Sequence, residues 1–242
     1  MSAPRVRQPP LVSVITVVRN GARFLSQALD SIFQQSYRPI QVIVVDGQST
    51  DGSDRIAQSY AAVDYVRQST LGLSVARNLG VEQARGELIA FLDHDDYWPA
   101  TKLEQQVGHM LAHPHLLLTT TRFLWFVDSS AQAAQVKSVA HLLGSPQAGP
   151  TPGTLLARRA AFRLNGLFDA TLTVAGDSEW FVRARDRRLA VDQLPAVLLY
   201  KRFHDANLSA QSAVYRAEWL RVLRASAAGK AHAASLPASS ET

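Results

Sequence analysis

Three aspartates and a histidine directly follow a short apolar run at residues 91–99, FLDHDDYWP. Asp93 and Asp95 are two positions apart, so their carboxylates point the same way if the chain stays extended, while His94 points away. Two carboxylates that share a site raise the pKa of one of them unless a cation compensates for their charge. Mg²⁺ and Mn²⁺ typically take one or two carboxylates and complete their shell with phosphate and water. The alternative is an acidic turn in solvent, with Asp96 capping the next helix.

Three further candidates also have an ordinary structural interpretation. Asp46 enters the loop DGQSTDGSD, where D-G is common turn chemistry, but it can also accept hydrogen bonds from a nucleobase or ribose. Asp177 precedes an amphipathic stretch and suits a helix N-cap, or it is a general base. His204 is a surface histidine, or a ligand of a metal or phosphate.

The first half of the chain predicts elements that bring these residues together. Apolar, β-branched runs at 12–18, 41–45 and 87–92 predict strands that are buried on both faces. Helical patterns separate them, which predicts βαβ units and a parallel sheet. Ligands of such sheets bind beyond the carboxyl ends of the strands. We therefore expect three polar clusters to face one crevice, at 19–21, 46–48 and 93–96.

The remaining elements are predicted from helical periodicity, turn residues and composition. The predicted helices are 22–37, a short helix with Ser53 as its N-cap, 73–85 stopped by Gly86, one that starts at Pro99, and 177–188. One or two strands are predicted in 115–127, a strand and a short helix within 153–169, and a strand near 197–200. A surface loop of 128–153 and a disordered tail from about 225 complete the chain.

Composition limits the class of protein. The chain has 242 residues, 47% of them hydrophobic, which is enough for a globular core. It has no cysteine, which excludes disulfides and thiol nucleophiles, and its net charge of +5 permits an anionic partner. The sequence has no basic run with interleaved aromatic residues, the pattern that would indicate a nucleic-acid groove. No signal peptide and no membrane-spanning stretch is recognised, so we expect a soluble, cytoplasmic protein.

Taken in order, these pieces resemble the family 2 glycosyltransferases, which have the GT-A fold. The resemblance extends from about Leu11 to Ser209 and rests on six pieces in order. They are VSVITVVRNGARFLSQALDSIFQQSY, VIVVDGQSTDGS, ARNLGVEQARGELIAFLDHDDYWP, LLARRAAFRLNGLFD, AGDSEWFVRA and YKRFHDANLS. The fold class is then α/β, with a mainly parallel, Rossmann-like sheet and a smaller acceptor-side subregion.

The resemblance implies inverting transfer from a nucleotide-sugar donor, probably UDP-linked, to an acceptor hydroxyl. By position, Asp93 and Asp95 would be the D-x-D pair that holds Mg²⁺ or Mn²⁺ on the diphosphate, and Asp177 would be the catalytic base. The other positions would contact the nucleotide or diphosphate: Val17, Arg19, Asp46, Arg77 and His204. We expect a flexible lead-in at 1–10, a nucleotide-sugar half at 11–98, an acceptor-side half at 99–210, and a helix with a tail at 211–242.

One departure from the family pattern concerns the base, because the family usually has Glu-Asp where this chain has Gly176-Asp177. It keeps open a non-catalytic nucleotide-sugar-binding or scaffold protein of the same fold, and Glu179, two residues on, as a lesser alternative base. A nucleotidyltransferase is a weaker alternative, since RNGARFL lacks a Gly-rich phosphate loop. The basic, amphipathic stretch 213–224 either packs on its own domain, which we favour, or lies peripherally on the inner membrane surface. A bacterial cell-surface polysaccharide fits as the product, whereas the sugar, the acceptor (saccharide, lipid-linked saccharide or peptide) and the oligomeric state are not indicated.

Overall fold

The computed structural model describes residues 8–128, 140–204 and 212–235. Its strands are β1 Val12–Val18, β2 Ile40–Asp46, β3 Val63–Arg67, β4 Leu88–Phe91, β5 Leu118–Val127, β6 Leu156–Arg158 and β7 Val191–Phe203. Its α-helices are α1 Ala22–Phe33, α2 Ser53–Ser59, α3 Leu73–Gln83, α4 Lys102–Ala112, α5 Arg159–Asn165, α6 Gly176–Asp186 and α7 Ser212–Ser235. Short 3-10 helices lie at Ala140–Leu142 and Pro152–Thr154.

The seven strands form one sheet in the order β3-β2-β1-β4-β6-β5-β7. Parallel pairing joins β3, β2, β1 and β4, and β5 is parallel to β7. The short strand β6 is antiparallel to both of its neighbours, β4 and β5. Six strands therefore run in the same direction, and their carboxyl ends lie along one edge of the sheet. This confirms the predicted α/β class with a mostly parallel sheet.

Helices cover both faces of the sheet, because the side chains of each strand alternate between them. On one face, Val14 and Val44 pack with apolar residues of α1 and α4. On the other face, Ile15 and Val45 pack with apolar residues of α3, α5 and α6, among them the fully buried Trp180. The strands are apolar on both faces for this reason, as the predicted parallel sheet requires.

Several predicted elements differ from the structure at their ends. The predicted third strand, 87–92, is the fourth, because β3 was not recognised between α2 and α3. Gly52 precedes α2, and the hydroxyl of Ser53 accepts a hydrogen bond from the backbone N–H of Gly21 instead of capping the helix. The helix expected from Pro99 begins at Lys102, after a turn that joins the carbonyl of Pro99 to the N–H of Lys102.

The C-terminal helix α7 is longer than expected, since its backbone continues to Ser235 where a disordered tail was predicted from about 225. It packs on the domain through Val222 and Trp219, which contact Leu172 and Val182. The prediction that this segment packs on its own domain is confirmed. No helix within the three described ranges is long and apolar enough to cross a membrane. Residues 1–7, 129–139, 205–211 and 236–242 lie outside the described ranges, and they include most of the predicted lead-in, part of the predicted surface loop and the end of the predicted tail.

Candidate active site

The acidic stretch lies just beyond the carboxyl end of β4, and it is a turn. β4 ends at Phe91, and the N–H of Asp96 donates to the carbonyl of Asp93 over 3.2 Å. The extended geometry assumed for this stretch is therefore wrong. The ring of His94 lies against Gly21, so strand alternation does not set its direction.

Basic side chains of this chain surround the acidic turn. Arg77, on α3, lies 3.2 Å from a carboxylate oxygen of Asp93. The ammonium of Lys201, near the end of β7, lies 3.7 Å from Asp93 and 3.3 Å from Asp96. His204 Nε2 lies 3.0 Å from a carboxylate oxygen of Asp95. These groups meet because β4 and β7 run in the same direction and end at the same edge of the sheet.

Burial and these contacts shift the pKa values of the turn in different directions. Burial raises the pKa of Asp96 to about 7, although the nearby Lys201 ammonium opposes this shift. Burial alone would raise the pKa of Asp95, but the hydrogen bond with His204 and the surrounding positive charge hold it well below its usual value. Burial alone would lower the pKa of Lys201, and the carboxylates of Asp96 and Asp93 raise it above its usual value. Asp95 and Lys201 are therefore charged at neutral pH.

Asp96 is not the helix cap that the sequence suggested. Its side chain is 1% exposed, and its carboxylate accepts a hydrogen bond from the N–H of Arg202 at 2.8 Å. The guanidinium of Arg202 also donates to the carbonyl of Asp95 and lies over the ring of Phe24. Asp96 thus fastens the acidic turn to the end of β7, six residues before α4 begins.

Asp177 lies in the first turn of α6 and faces the same crevice. Its carboxylate is 3.8 Å from Arg77, so that one guanidinium contacts both Asp93 and Asp177. Ala175 precedes α6, which makes Asp177 its second residue and not its N-cap. The presence of glycine at position 176 has a steric explanation, because a Cβ there would overlap the hydroxyl of Ser74 on α3. The departure from the family's Glu-Asp pair is therefore tied to the close approach of α3 and α6.

The residues proposed to contact the nucleotide differ in how deeply they are buried. Val17 is half-buried and Arg19 is exposed at the end of β1. Asp46 is fully buried, and its carboxylate accepts hydrogen bonds from the hydroxyl of Tyr65 at 2.8 Å and the N–H of Ser49 at 3.0 Å. Burial and the bond to Asp46 raise the pKa of Tyr65 to about 12. This geometry gives Asp46 a structural role, and its contact with a nucleobase stays a prediction.

Sequence reasoning did not select Lys201 or Arg202, although both lie in the quoted piece YKRFHDANLS. The available signal was their position, two basic residues at the end of a predicted strand and next to the candidate ligand His204. Only the topology places that strand end against the acidic turn. The sequence does not show that β7 pairs with β5 and runs parallel to β4.

The acidic turn suits a divalent ion that is shared with a substrate. Asp93 and Asp95 offer carboxylate oxygens at a partly exposed edge, with side chains 24% and 17% exposed. In the described part of the chain, no group of three or more His, Asp, Glu or Cys side chains is arranged to hold a metal by itself. This donor set fits Mg²⁺ or Mn²⁺ that takes one or two carboxylates and completes its shell with phosphate oxygens and water.

The mostly parallel sheet, with its crevice at the carboxyl edge, has the GT-A fold, and comparison with known proteins identifies the family. The family model described as glycosyl transferase family 2 matches residues 13–163, more than half of the chain. The chain belongs to this family. It is 32% identical over 212 residues to an uncharacterized glycosyltransferase of Rickettsia typhi, covering 81% of this chain and 65% of that protein. It is also 40% identical over 108 residues to the putative teichuronic acid biosynthesis glycosyltransferase TuaG of Bacillus subtilis, covering 42% of each.

Solved structures support the same fold. Residues 1–349 of S. aureus TarS, in complex with UDP-GlcNAc, match with a TM-score of 0.69 at 20% identity, covering 83% of this chain and 60% of that one. The mannosyltransferase PcManGT from Pyrobaculum calidifontis, in complex with GDP-Man and Mn²⁺, matches with a TM-score of 0.63 at 21% identity, covering 83% and 59%. The chain therefore spans about two thirds or less of the proteins named here.

Proposed function

We propose that this protein is an inverting glycosyltransferase that moves a sugar from a nucleoside-diphosphate sugar to an acceptor hydroxyl. The observation that carries the proposal is the position of Arg77, which contacts both Asp93 and Asp177. It brings a carboxylate of the acidic turn and a candidate base to one crevice. We assign donor binding to Asp93 and proton removal to its neighbour Asp177.

The proposed reaction is a direct displacement. The carboxylate of Asp177 takes the proton of the acceptor hydroxyl while its oxygen forms a bond to the anomeric carbon. The bond from that carbon to the diphosphate oxygen breaks, and the diphosphate leaves with the electron pair. Arg77 orients Asp177 and adds positive charge at the edge that receives the diphosphate. Asp93 and Asp95 would hold a divalent ion, which supplies Lewis-acid compensation for the charge on the leaving group.

UDP is the nucleotide we propose for the donor. One solved structure of the same fold holds UDP-GlcNAc, and another holds GDP-Man and Mn²⁺. A relative named for teichuronic acid biosynthesis supports a bacterial cell-surface polysaccharide as the product, with a saccharide, lipid-linked saccharide or peptide as acceptor. Residues 11–98 would bind the donor and 99–210 the acceptor side, in a cytoplasmic protein.

The experiment replaces Asp177 by Asn and measures UDP binding and turnover separately. Asn keeps the shape of the side chain but cannot take a proton at neutral pH. We expect release of UDP from UDP-GlcNAc in the presence of Mn²⁺ to fall about 10²–10⁴-fold, as the loss of a positioned base predicts. Binding of UDP by calorimetry should change less than about threefold.

Glu179→Gln is the matched control, because this carboxylate lies on the same helix and both of its oxygens accept hydrogen bonds from Arg183. It should keep normal turnover. Normal turnover by Asp177→Asn would remove this residue from the role of base. UDP binding without turnover in the wild-type protein would favour the non-catalytic alternative.

A further inference from the structure

A buried carboxylate from the C-terminal helix holds the segment directly in front of Asp177. Glu218, on α7, is 8% exposed. It accepts hydrogen bonds from three consecutive backbone N–H groups: Thr173 at 2.7 Å, Val174 at 3.0 Å and Ala175 at 2.9 Å. Burial alone would raise the pKa of Glu218, and these donors hold it below its usual value.

The three amides belong to the residues that lead into α6. Ala175 is the N-cap, whose amide lacks a partner within the helix, while Thr173 and Val174 precede the helix and need an acceptor as any backbone amide removed from water does. Such charge-assisted bonds are stronger than bonds between neutral groups. Because α6 begins at Gly176, Glu218 fixes the backbone that immediately precedes Asp177.

Other contacts between α7 and α6 act in the same direction. The hydroxyls of Tyr215 and Ser178 lie 3.1 Å apart, one residue beyond Asp177. Val222 packs with Leu172, directly before the anchored segment. This part of the chain lies outside residues 13–163, the range that the family model matches.

We propose that Glu218 is a positioning residue that, from the C-terminal helix, sets the place of the Asp177 carboxylate beside Arg77. The proposal rests on the proposed function, in which Asp177 is the base. Without Glu218, three amides lose their acceptor and the segment before α6 loses its charged anchor to α7, although the contacts of Tyr215 and Val222 remain. The carboxylate of Asp177 then samples positions away from Arg77, where it cannot take the acceptor proton.

The test uses the full chain with Glu218→Ala, Glu218→Gln and the control Arg224→Gln, whose side chain is exposed on the same helix. Hydrogen exchange of the amides of 173–175, followed by NMR, needs no substrate. We expect exchange at least about tenfold faster in Glu218→Ala, a smaller increase in Glu218→Gln, which keeps an oxygen acceptor, and no change in the control. The Nε–H signal of Arg77 should shift in Glu218→Ala because its contact with Asp177 changes.

Kinetics separate a positioning role from a merely stabilising one. In Glu218→Ala, turnover of UDP-GlcNAc with Mn²⁺ should fall at least about tenfold while UDP affinity stays within about twofold, with partial rescue in Glu218→Gln. Unchanged exchange at 173–175, an unchanged Arg77 signal, or turnover equal to that of the control would overturn the proposal. If Asp177→Asn is fully active, the proposed base has failed instead, and the exchange and Arg77 signals still decide whether Glu218 positions this residue.

Discussion

At the scale of single residues, the acidic turn is held by positive charge from this chain. Lys201 is central because its ammonium reaches both Asp93 and the almost completely buried Asp96. A buried carboxylate that loses a compensating cation costs far more than an exposed one, since it is removed from water without that compensation. The turn therefore depends on the end of β7 as much as on its own sequence.

Replacing Lys201 by Met should make the stability of the protein depend more steeply on pH. The pKa of Asp96 is already raised to about 7, and it rises further without the ammonium. The folded state then binds a proton that the unfolded state releases, so stability falls as pH rises. We expect a loss of about 3–5 kcal/mol near pH 8 and a smaller loss near pH 5.5, measured by urea unfolding.

The double variant Lys201→Met with Asp96→Asn serves as the control, because it removes the uncompensated charge. It should be more stable than Lys201→Met alone near pH 8 and show less dependence on pH. An equal loss for Lys201→Met at both pH values would mean that Asp96 does not carry the effect.

Residue types and spacing predicted part of this site. Five of its residues were selected from the sequence: Arg77 contacts Asp93 and Asp177, and His204 contacts Asp95. Lys201 and Glu218 were not selected, because an isolated basic or acidic residue gains meaning only from the element opposite it. Asp46 shows the reverse case, since its turn was recognised but not the tyrosine that binds its carboxylate.

At the scale of elements, the approach of α3 to α6 decides which residue can precede Asp177. The side chain of Ser74 is buried, and its hydroxyl donates a weak hydrogen bond, 3.5 Å long, to the carbonyl of Leu172. A Cβ at Gly176 would overlap this hydroxyl. The Ser74 Cβ and the carbonyl of Asp169 would lie 3.5 Å from it, so a side chain fits at position 176 only if the Ser74 hydroxyl turns away.

Gly176→Ala should lower the free energy of unfolding by about 1–3 kcal/mol, the usual cost of adding a methyl group to a filled space. Adding Ser74→Ala removes the hydroxyl and should recover most of the loss, which a double-mutant cycle in urea measures. Ser74→Ala alone serves as the control. Wild-type stability of Gly176→Ala would show that the Ser74 hydroxyl turns away at little cost.

The strand and helix types were predictable where the apolar pattern was strong, as for β1, β2 and α1. The pattern failed for β3, whose residues are only partly buried and polar at one position in its interior. It also failed at helix starts, where Ser53 and Pro99 suggested boundaries that tertiary contacts shifted. Pairing partners such as β6 between β4 and β5 cannot be derived from periodicity, because they depend on contacts between distant segments.

At the scale of the whole molecule, one buried lysine affects stability without taking part in the site. Lys102 is fully buried on α4, where its ammonium lies 4.1 Å from the centre of the Trp98 ring and donates to the side chain of Gln106. Burial lowers the pKa of Lys102 from 10.5 to about 7. The buried lysine therefore lowers the free energy of unfolding at pH values below 10.5, where the lysine of the unfolded chain is protonated.

Lys102→Met should stabilise the protein, and by an amount that depends on pH. The cost of the lysine is fully present below about pH 7 and fades as pH rises toward 10.5, because the unfolded state binds more protons between these values. We expect a gain of a few kcal/mol near pH 7 and little near pH 10, from urea unfolding of both proteins. A gain that is independent of pH would mean that Met packs better for reasons unrelated to charge.

The three-residue strand β6 has a consequence for how the chain is made. It is the piece that joins β4 to β5, yet it follows β5 by almost thirty positions along the chain. A nascent chain that emerges from the ribosome therefore presents β1–β4 with the border along β4 unpaired until Leu156–Arg158 arrives. Such a border invites pairing with other chains. Once this short segment is made, β4 gains its neighbour, and β5 and then the later-made β7 can be added to the sheet.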